Sequence, residues 1–160
     1  MPISQDEFKH VMRNWASGVT VVTLRDGDRI HGLTVSGFIG LSLNPPQALI
    51  SVGETMRSHE MIELGRCFVI NFLREDQREL ADRFAGRMGD IDRFAGVKTR
   101  SGETGAPVLE DCLAWLDCLL IDQHRSGDHI IYIGDVVASG INGSERPLIY
   151  WNGAYRRLTM

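Results

Sequence analysis

The sequence has 160 residues, a formal net charge of −4, and 43% hydrophobic and 24% charged residues, a profile that fits a globular chain and excludes a disordered one. No cluster of Lys and Arg is long or one-sided enough to follow a phosphate backbone, so nucleic-acid binding is not expected. The apolar runs fall far short of the ~20 residues that cross a bilayer, and the N-terminus has no leader-like pattern. We therefore expect one cytoplasmic domain over residues 1–160, without membrane attachment.

The N-terminal segment has the pattern of an amphipathic helix. Ser4 and Glu7 have the spacing of a capping box, in which each side chain bonds the backbone N–H of the other residue. Apolar residues then recur at helical spacing, namely Phe8, Val11, Met12 and Trp15. This pattern predicts a helix that ends near Gly18.

Strand patterns dominate the rest of the chain. Residues 19–24 and 30–35 are rich in β-branched side chains and flank Asp26-Gly27, which predicts a hairpin. The same signature recurs at residues 48–52, 67–73, 113–123, 130–138 and 148–150, and short helices are predicted at 57–64 and 76–84. Residues 86–107 are glycine-rich and aperiodic, which indicates a long surface excursion of a kind that is often functional. The predicted fold class is mainly β with peripheral helices, an antiparallel sheet of six to seven strands that closes into a barrel because closure removes its exposed edges.

Residues 31–43 place small and hydroxyl side chains where a strand would usually carry bulky ones. Thr34 and Ser36 share one strand face, so both hydroxyls could reach one edge of a planar ligand that approaches the backbone. The same pattern also fits a twisted or bulged strand with Gly37 and Gly40 at its bends. The residues alone leave both interpretations open.

Residues 51–59 run from a strand into a predicted helix whose start carries hydroxyls and Arg57. The free N–H groups and the dipole at a helix N-terminus favour a phosphate, to which a guanidinium could add a bidentate contact. The alternative is that Thr55 or Ser58 only caps the helix.

Two further stretches could contribute to a site. Gly127-Asp128-His129 has the composition of a turn and places His129 at the start of a strand, although a lone turn histidine is more often simply solvated. Near the C-terminus, Tyr155 lies beside Arg156 and could stack on a ring and meet an anionic ligand. The alternative for the C-terminal aromatic residues is a plug that closes the end of the barrel.

Several classes of site are not expected. The histidines and cysteines have no zinc-type spacing, so no metal site is predicted, and the three cysteines fit reduced core thiols. The sequence also lacks GxGxxG after a first strand, GxxxxGK[ST], GxSxG and HExxH, which excludes Rossmann, P-loop, hydrolase-elbow and zincin chemistry. What remains is a small antiparallel barrel with a slot for a planar, phosphorylated ligand.

Taken in order, several short segments cover nearly the whole chain. They are residues 8–23, Gly32-Leu33-Thr34-Val35-Ser36, residues 42–46, 68–73 and 83–85, Gly127-Asp128-His129 with residues 133–136, and residues 147–155. This series resembles the short-chain flavin reductase family, the reductase components of two-component flavin-dependent monooxygenases. The resemblance implies an FMN-binding split barrel and an NAD(P)H:flavin oxidoreductase, in which hydride passes from NADH or NADPH to FMN or FAD. It also implies a homodimer that supplies reduced flavin to a partner monooxygenase.

The resemblance also implies roles for individual residues. The residues implied to contact the flavin ring and its ribityl chain are Thr34, Val35, Ser36, Ser51 and Val52. Those implied near the phosphate or the adenylate end are Ser58, Phe84 and Ala85. His129 would help to place the nicotinamide, and Tyr155 is a further candidate for cofactor binding. The chain departs from the family at Ile39-Gly40, where relatives often carry a Thr-Ser pair, so the flavin contacts at this spot differ.

Two alternatives remain at this stage. One is a split-barrel flavoprotein that retains its flavin and reduces another acceptor. The other is a flavin- or haem-binding module without turnover, although the sequence offers no convincing histidine or cysteine ligand for haem.

Overall fold

The computed structural model describes residues 1–54 and 57–159 of the chain. The helices are α1 (Gln5–Met12), α2 (Ser58–Gly65) and α3 (Arg78–Phe84). The strands are β1 (Ser17–Gly18), β2 (Thr20–Asp26), β3 (Arg29–Val35), β4 (Phe38–Leu43), β5 (Pro46–Gly53), β6 (Cys67–Phe72), β7 (Thr99–Ser101), β8 (Pro107–Leu109), β9 (Ala114–Ser126), β10 (His129–Ile141), β11 (Ile149–Trp151) and β12 (Ala154–Arg156).

A seven-stranded antiparallel sheet forms the body of the molecule, in the order β3-β2-β6-β9-β10-β5-β4. The first and last strands in this order, β3 and β4, are joined by two residues only, Ser36 and Gly37. The sheet must therefore curl until its two edges meet. This topology confirms the predicted mainly β, antiparallel barrel with peripheral helices.

The curled sheet encloses one apolar core, and a second apolar core lies against its outer face. The interior contains fully buried side chains from distant strands, including Leu33, Ile50, Phe68 and Tyr132. The second cluster lies under α3 and the segment that follows it, with Phe84 at its centre. Because β-strand side chains alternate between faces, one strand such as β6 can contribute to both cores.

Two predicted elements differ from the structure. The capping box forms as predicted, but α1 ends at Met12 rather than near Gly18, and none of its residues is buried. The stretch 31–43 is not one strand, since the chain turns at Ser36-Gly37 and β4 pairs with β5 instead. At this turn Gly37 packs directly against Ser51, and a glycine fits there because an added Cβ would lie only 3.1 Å from the Ser51 Cβ.

The glycine-rich excursion is held to the barrel by a buried carboxylate. Asp117 on β9 is fully buried and accepts hydrogen bonds from the backbone N–H of Thr104 at 3.0 Å and from its hydroxyl at 2.6 Å. Gly102 packs against the same carboxylate so closely that a Cβ there would overlap Asp117 Oδ2. One side chain thus fixes the turn between β7 and β8.

We expect Asp117→Ala to destabilise the protein by about 1–3 kcal/mol, because the substitution leaves the Thr104 N–H without its acceptor. Urea denaturation followed by fluorescence would measure the change in the free energy of unfolding. Asp122→Ala, at an exposed position on the same strand, is the matched control and should change stability by no more than about 0.5 kcal/mol. Equal effects of the two substitutions would contradict this role of Asp117.

Candidate functional site

A slot of about 270 Å³ opens where β3 ends beside the end of β5, and we call it the central slot. It is lined by Leu33, Thr34, Val35, Ser36, Gly37, Ser51, Val52, Gly53 and His129. The strand order places β5 between β4 and β10, so the 36–37 turn and the start of β10 meet at β5. Six of the ten predicted site residues therefore lie together.

The strand period decides which of these side chains can touch a ligand. Val35 and Val52 point into the barrel core and are almost completely buried, so only their backbone can line the slot. Ser36 is exposed at the slot, and the Ser51 side chain is partly exposed. Thr34 donates its hydroxyl proton to the Ala81 carbonyl at 2.7 Å, which leaves its oxygen as an acceptor only.

His129 lies at the far end of the slot, in the first position of β10. Its Nδ1 is 2.7 Å from Oδ1 of Asp128, and this hydrogen bond, together with the histidine charge, holds the pKa of Asp128 below its usual range. In the neutral imidazole the proton therefore resides on Nδ1, and Nε2 is an acceptor. The side chain is half exposed and can receive a donor from a bound ligand.

A side cavity of about 200 Å³ continues from the central slot and shares Thr34 and Ser36 with it. Two further predicted residues, Ala85 and Tyr155, line this cavity together with Arg87. The Tyr155 ring lies edge-on to Tyr150 at 5.5 Å between centroids, and the guanidinium of Arg87 lies 5.7 Å from its centroid. An aromatic ring and a guanidinium that is paired with Asp82 thus lie beside the slot.

The other two predicted residues do not line these cavities. Phe84 is fully buried beneath β3, edge-on to Phe94 at 5.1 Å, so its ring supports the strand rather than contacting a ligand. Ser58 is also buried, at the first residue of α2, and its hydroxyl has no hydrogen-bond partner among residues 1–54 and 57–159. Thr55, the other predicted cap, lies outside the described residues.

On the opposite side of the slot lies a wide cleft of about 780 Å³, which we call the arginine cleft. Its lining includes three arginines, His31 and four acidic residues, namely Arg29, Arg57, Arg93, Glu54, Glu60, Asp90 and Asp92. Arg29 forms ion pairs with Asp26 and Glu60, whereas Arg57 is the N-cap residue of α2 and its side chain makes no capping hydrogen bond among the described residues. Glu54 and Gly32 line the cleft and their neighbours Gly53 and Leu33 line the slot, so the two spaces adjoin.

Sequence patterns missed Arg93 and His31. Arg93 donates to the carbonyls of Gly32 at 2.9 Å and Phe84 at 3.0 Å, so it ties the excursion to β3. Burial, aided by the Arg93 charge, lowers the pKa of His31. No periodicity marks Arg93 because it lies in a loop, and its position depends on how that loop folds back over the barrel.

The described residues contain no group of three or more His, Cys, Asp or Glu side chains arranged to hold a metal ion. None of the described helices is long and apolar enough to cross a membrane. The site therefore consists of hydroxyls, backbone groups, the slot histidine His129 and two flanking spaces that contain arginine side chains. Such an arrangement can bind and orient a planar anionic ligand.

Comparison with known proteins identifies the family. The chain matches the flavin reductase like domain over residues 12–159. It is 35% identical over 153 residues to the flavin-dependent monooxygenase reductase subunit HsaB of Rhodococcus jostii, covering 96% of this chain and 77% of that relative. The structure of flavin reductase PheA2 has a TM-score of 0.91 at 32% identity and covers 99% of this chain and 100% of that one.

A second solved structure contains ligand fragments. The NADH:FAD oxidoreductase SgcE6 from Streptomyces globisporus C-1027, in complex with NAD and FAD fragments, has a TM-score of 0.90 at 29% identity, and the match covers 98% of this chain and 93% of that one. Together these matches confirm the predicted split-barrel fold and oxidoreductase class. The chain belongs to the flavin reductase family.

Proposed function

We propose that the central slot holds the isoalloxazine ring of FMN or FAD and that a reduced nicotinamide, NADH or NADPH, transfers hydride to it there. The observation that carries this proposal is the junction of the central slot with the arginine cleft. A flavin needs a flat space for its ring and hydrogen-bond donors for its phosphate, and here the slot adjoins a cleft that contains three arginine side chains. The family membership supports the same ligand.

The residues present fit the phosphate end of a flavin. The Ser58 hydroxyl is buried without a partner in the described part of the chain, and α2 begins without a side-chain cap. Helix N-terminal N–H groups, a free hydroxyl and the Arg57 guanidinium are donors that a phosphate accepts from. The arginine cleft is also larger than one phosphate needs, so the adenylate end of FAD fits the same space beside Arg93.

The chemistry of the reaction would come from the bound flavin, which accepts a hydride, that is, two electrons together with one proton, from the reduced nicotinamide. The chain's own residues bind and orient the two reactants. Ser36 and Ser51 present hydroxyls to one edge of the slot, and Tyr155 with Arg87 provides a stacking face and a cation at its side. His129 Nε2 accepts a hydrogen bond from the nicotinamide carboxamide. Holding both reactants in one orientation makes the transfer effectively intramolecular.

Turnover of nicotinamide by the purified protein tests the proposal. The loss of absorbance of NADH and of NADPH would be followed in air, each with and without added FMN, FAD and riboflavin. Oxidation that depends on added flavin would support a reductase that releases its product to a monooxygenase. Oxidation without added flavin would indicate a retained flavin, and flavin binding without any oxidation would contradict the proposed reaction.

We expect Arg57→Ala to weaken FMN binding about tenfold or more while changing the affinity for riboflavin little, because riboflavin lacks the phosphate. Quenching of flavin fluorescence would measure both dissociation constants. Ser58→Ala should likewise raise the dissociation constant for FMN and change that for riboflavin little. Equal losses for FMN and riboflavin would show that the α2 N-terminus does not bind the phosphate.

We also propose that the protein is a homodimer. Helix α1 buries none of its residues, and its side chains Phe8 and Val11, with Trp15 just after the helix, are all more than half exposed. Exposed apolar residues also occur on the outer face of the sheet, including Ile39 and Leu119. A second copy of the chain would cover such surfaces, and light scattering should therefore give the mass of two chains.

The remaining features of the proposal concern context. The chain acts as one domain over residues 1–160, and its partner is a flavin-dependent monooxygenase, as the name of the Rhodococcus jostii relative states for that protein.

We place the protein in the cytoplasm, in support of which the three cysteines are buried and unpaired. Burial raises the pKa of Cys112 to about 11 and that of Cys118 to about 12, so neither thiol is reactive at neutral pH.

A further inference from the structure

The peptide group between Gly53 and Glu54 is hydrogen-bonded on both of its sides. The Gly53 carbonyl lies 2.7 Å from Nε2 of His59, and the Glu54 N–H donates to the Asp128 carbonyl at 2.8 Å. Gly53 is the last residue of β5, where the ladder to β10 ends opposite His129. The strand ladder therefore does not hold this carbonyl, and His59 does.

The His59 imidazole is itself fixed by the barrel core. Its Nδ1 is 2.6 Å from the Tyr132 hydroxyl, and the two ring centroids lie 5.8 Å apart. A carbonyl only accepts, so Nε2 must carry the proton and Nδ1 accepts from the tyrosine. Tyr132 is completely buried, and burial together with the Glu63 charge raises its pKa to about 12, so its hydroxyl keeps the proton that it donates.

The contacts form a continuous path from the core to the end of the central slot. Tyr132 orients His59, His59 holds the Gly53 carbonyl, and the same peptide group holds Asp128. Asp128 in turn bonds Nδ1 of His129. A parallel ion pair joins Glu54 to Arg125, in the strand that precedes the turn, so Glu54 is attached to both sides of this hairpin.

We propose that His59 is a positioning residue for hydride transfer, because it sets the place of His129 through the Gly53–Glu54 peptide group. The inference rests on the proposed function and adds to it a residue that lies in the arginine cleft rather than in the slot. His59 does not touch the nicotinamide. Its effect reaches the reaction through one peptide plane and the turn at residues 127–129.

Kinetics of three variants test the proposal. With saturating flavin, His59→Leu should lower kcat/KM for the nicotinamide about five- to tenfold, the size expected from the loss of one positioning hydrogen bond. His59→Gln should recover most of this loss, because its amide can still donate to the Gly53 carbonyl. His124→Leu, an exposed histidine on β9, is the matched control and should leave the kinetics unchanged. A loss in His59→Gln as large as that in His59→Leu would overturn the proposal.

A double-mutant cycle with His129→Ala separates positioning from a general structural defect. If His59 acts through His129, then His59→Leu should lower kcat/KM by less than about twofold when His129 is already alanine. If His59→Leu lowered kcat/KM by the same factor with and without His129, the inference would be overturned. Failure of the unmodified protein to oxidise any nicotinamide would instead overturn the proposed function itself, so the two failures are distinguishable.

Hydrogen exchange provides a readout that does not depend on activity. The Glu54 amide should exchange faster in His59→Leu than in the unmodified protein, whereas the core amides of β6 should keep their protection. Nitrogen NMR of the unmodified protein should show the His59 tautomer protonated at Nε2. Unchanged protection of the Glu54 amide in His59→Leu would show that the histidine does not hold this peptide group.

Discussion

His129→Ala is expected to lower kcat/KM for the reduced nicotinamide about ten- to hundredfold while leaving the affinity for flavin nearly unchanged. The histidine is at the end of the central slot, beyond the hydroxyls of Ser36 and Ser51. Its bond to Asp128 presets the ring so that Nε2 can accept a donor from the substrate. Loss of that acceptor removes orientation of the nicotinamide and not of the flavin.

Steady-state kinetics with each nicotinamide and fluorescence titration with each flavin would measure the two effects separately. Asp128→Asn should also lower kcat/KM for the nicotinamide, but by less than His129→Ala does. An amide oxygen can still accept a hydrogen bond from Nδ1, although it carries no charge. His124→Ala is the control for the loss of an exposed histidine in the same hairpin. Unchanged nicotinamide kinetics in His129→Ala would remove this residue from the site.

Gly32→Ala should destabilise the protein by about 1–3 kcal/mol and weaken flavin binding as well. A Cβ at this position would lie 2.4 Å from Cε1 of Phe84, whose ring is fully buried and in contact with Phe94. The ring cannot move aside without displacing its neighbours. Arg93 donates to the carbonyls of both Gly32 and Phe84, so a displaced ring would also disturb a cation of the arginine cleft.

Gly40→Ala is the matched control for this prediction, since nothing lies within 4 Å of a Cβ added to that residue of β4. It should change the free energy of unfolding by no more than about 0.5 kcal/mol. Urea denaturation and flavin titration of the two variants would give both comparisons. A Gly32→Ala protein as stable as Gly40→Ala would show that the core beneath β3 repacks easily.

If both predictions hold, different residues of the site act on the two reactants. His129 would govern the nicotinamide, and Gly32 with Arg93 would govern the flavin. The Ile39-Gly40 pair, where relatives often carry two hydroxyls, lies on β4 with both residues exposed, whereas the slot lining stops at Gly37. The slot hydroxyls in this chain therefore come from Thr34, Ser36 and Ser51.

Local sequence patterns were sufficient to predict the elements whose stabilising contacts join residues close together in the chain. The capping box of Ser4 and Glu7 and the β2–β3 hairpin at Asp26-Gly27 form as predicted, because each involves residues three or four apart. The period of two placed Thr34 and Ser36 on one face, and it also implies that Val35 faces the core. The sequence pattern could therefore find two hydroxyl positions of the slot, and Val35, which the family resemblance adds, lines it with backbone only.

The contacts that only the tertiary structure could show join segments that are far apart in the chain. The two hydrogen bonds of His59 join it to Gly53 nearby and to Tyr132, which is 73 residues away. Arg93 reaches β3 across 61 residues, and Phe84 fills the space that Gly32 leaves. A linear pattern records the face and the turn that each residue prefers, because those preferences arise from its own backbone and near neighbours. It does not record which strands become neighbours, since that is settled by how the whole sheet closes around its core.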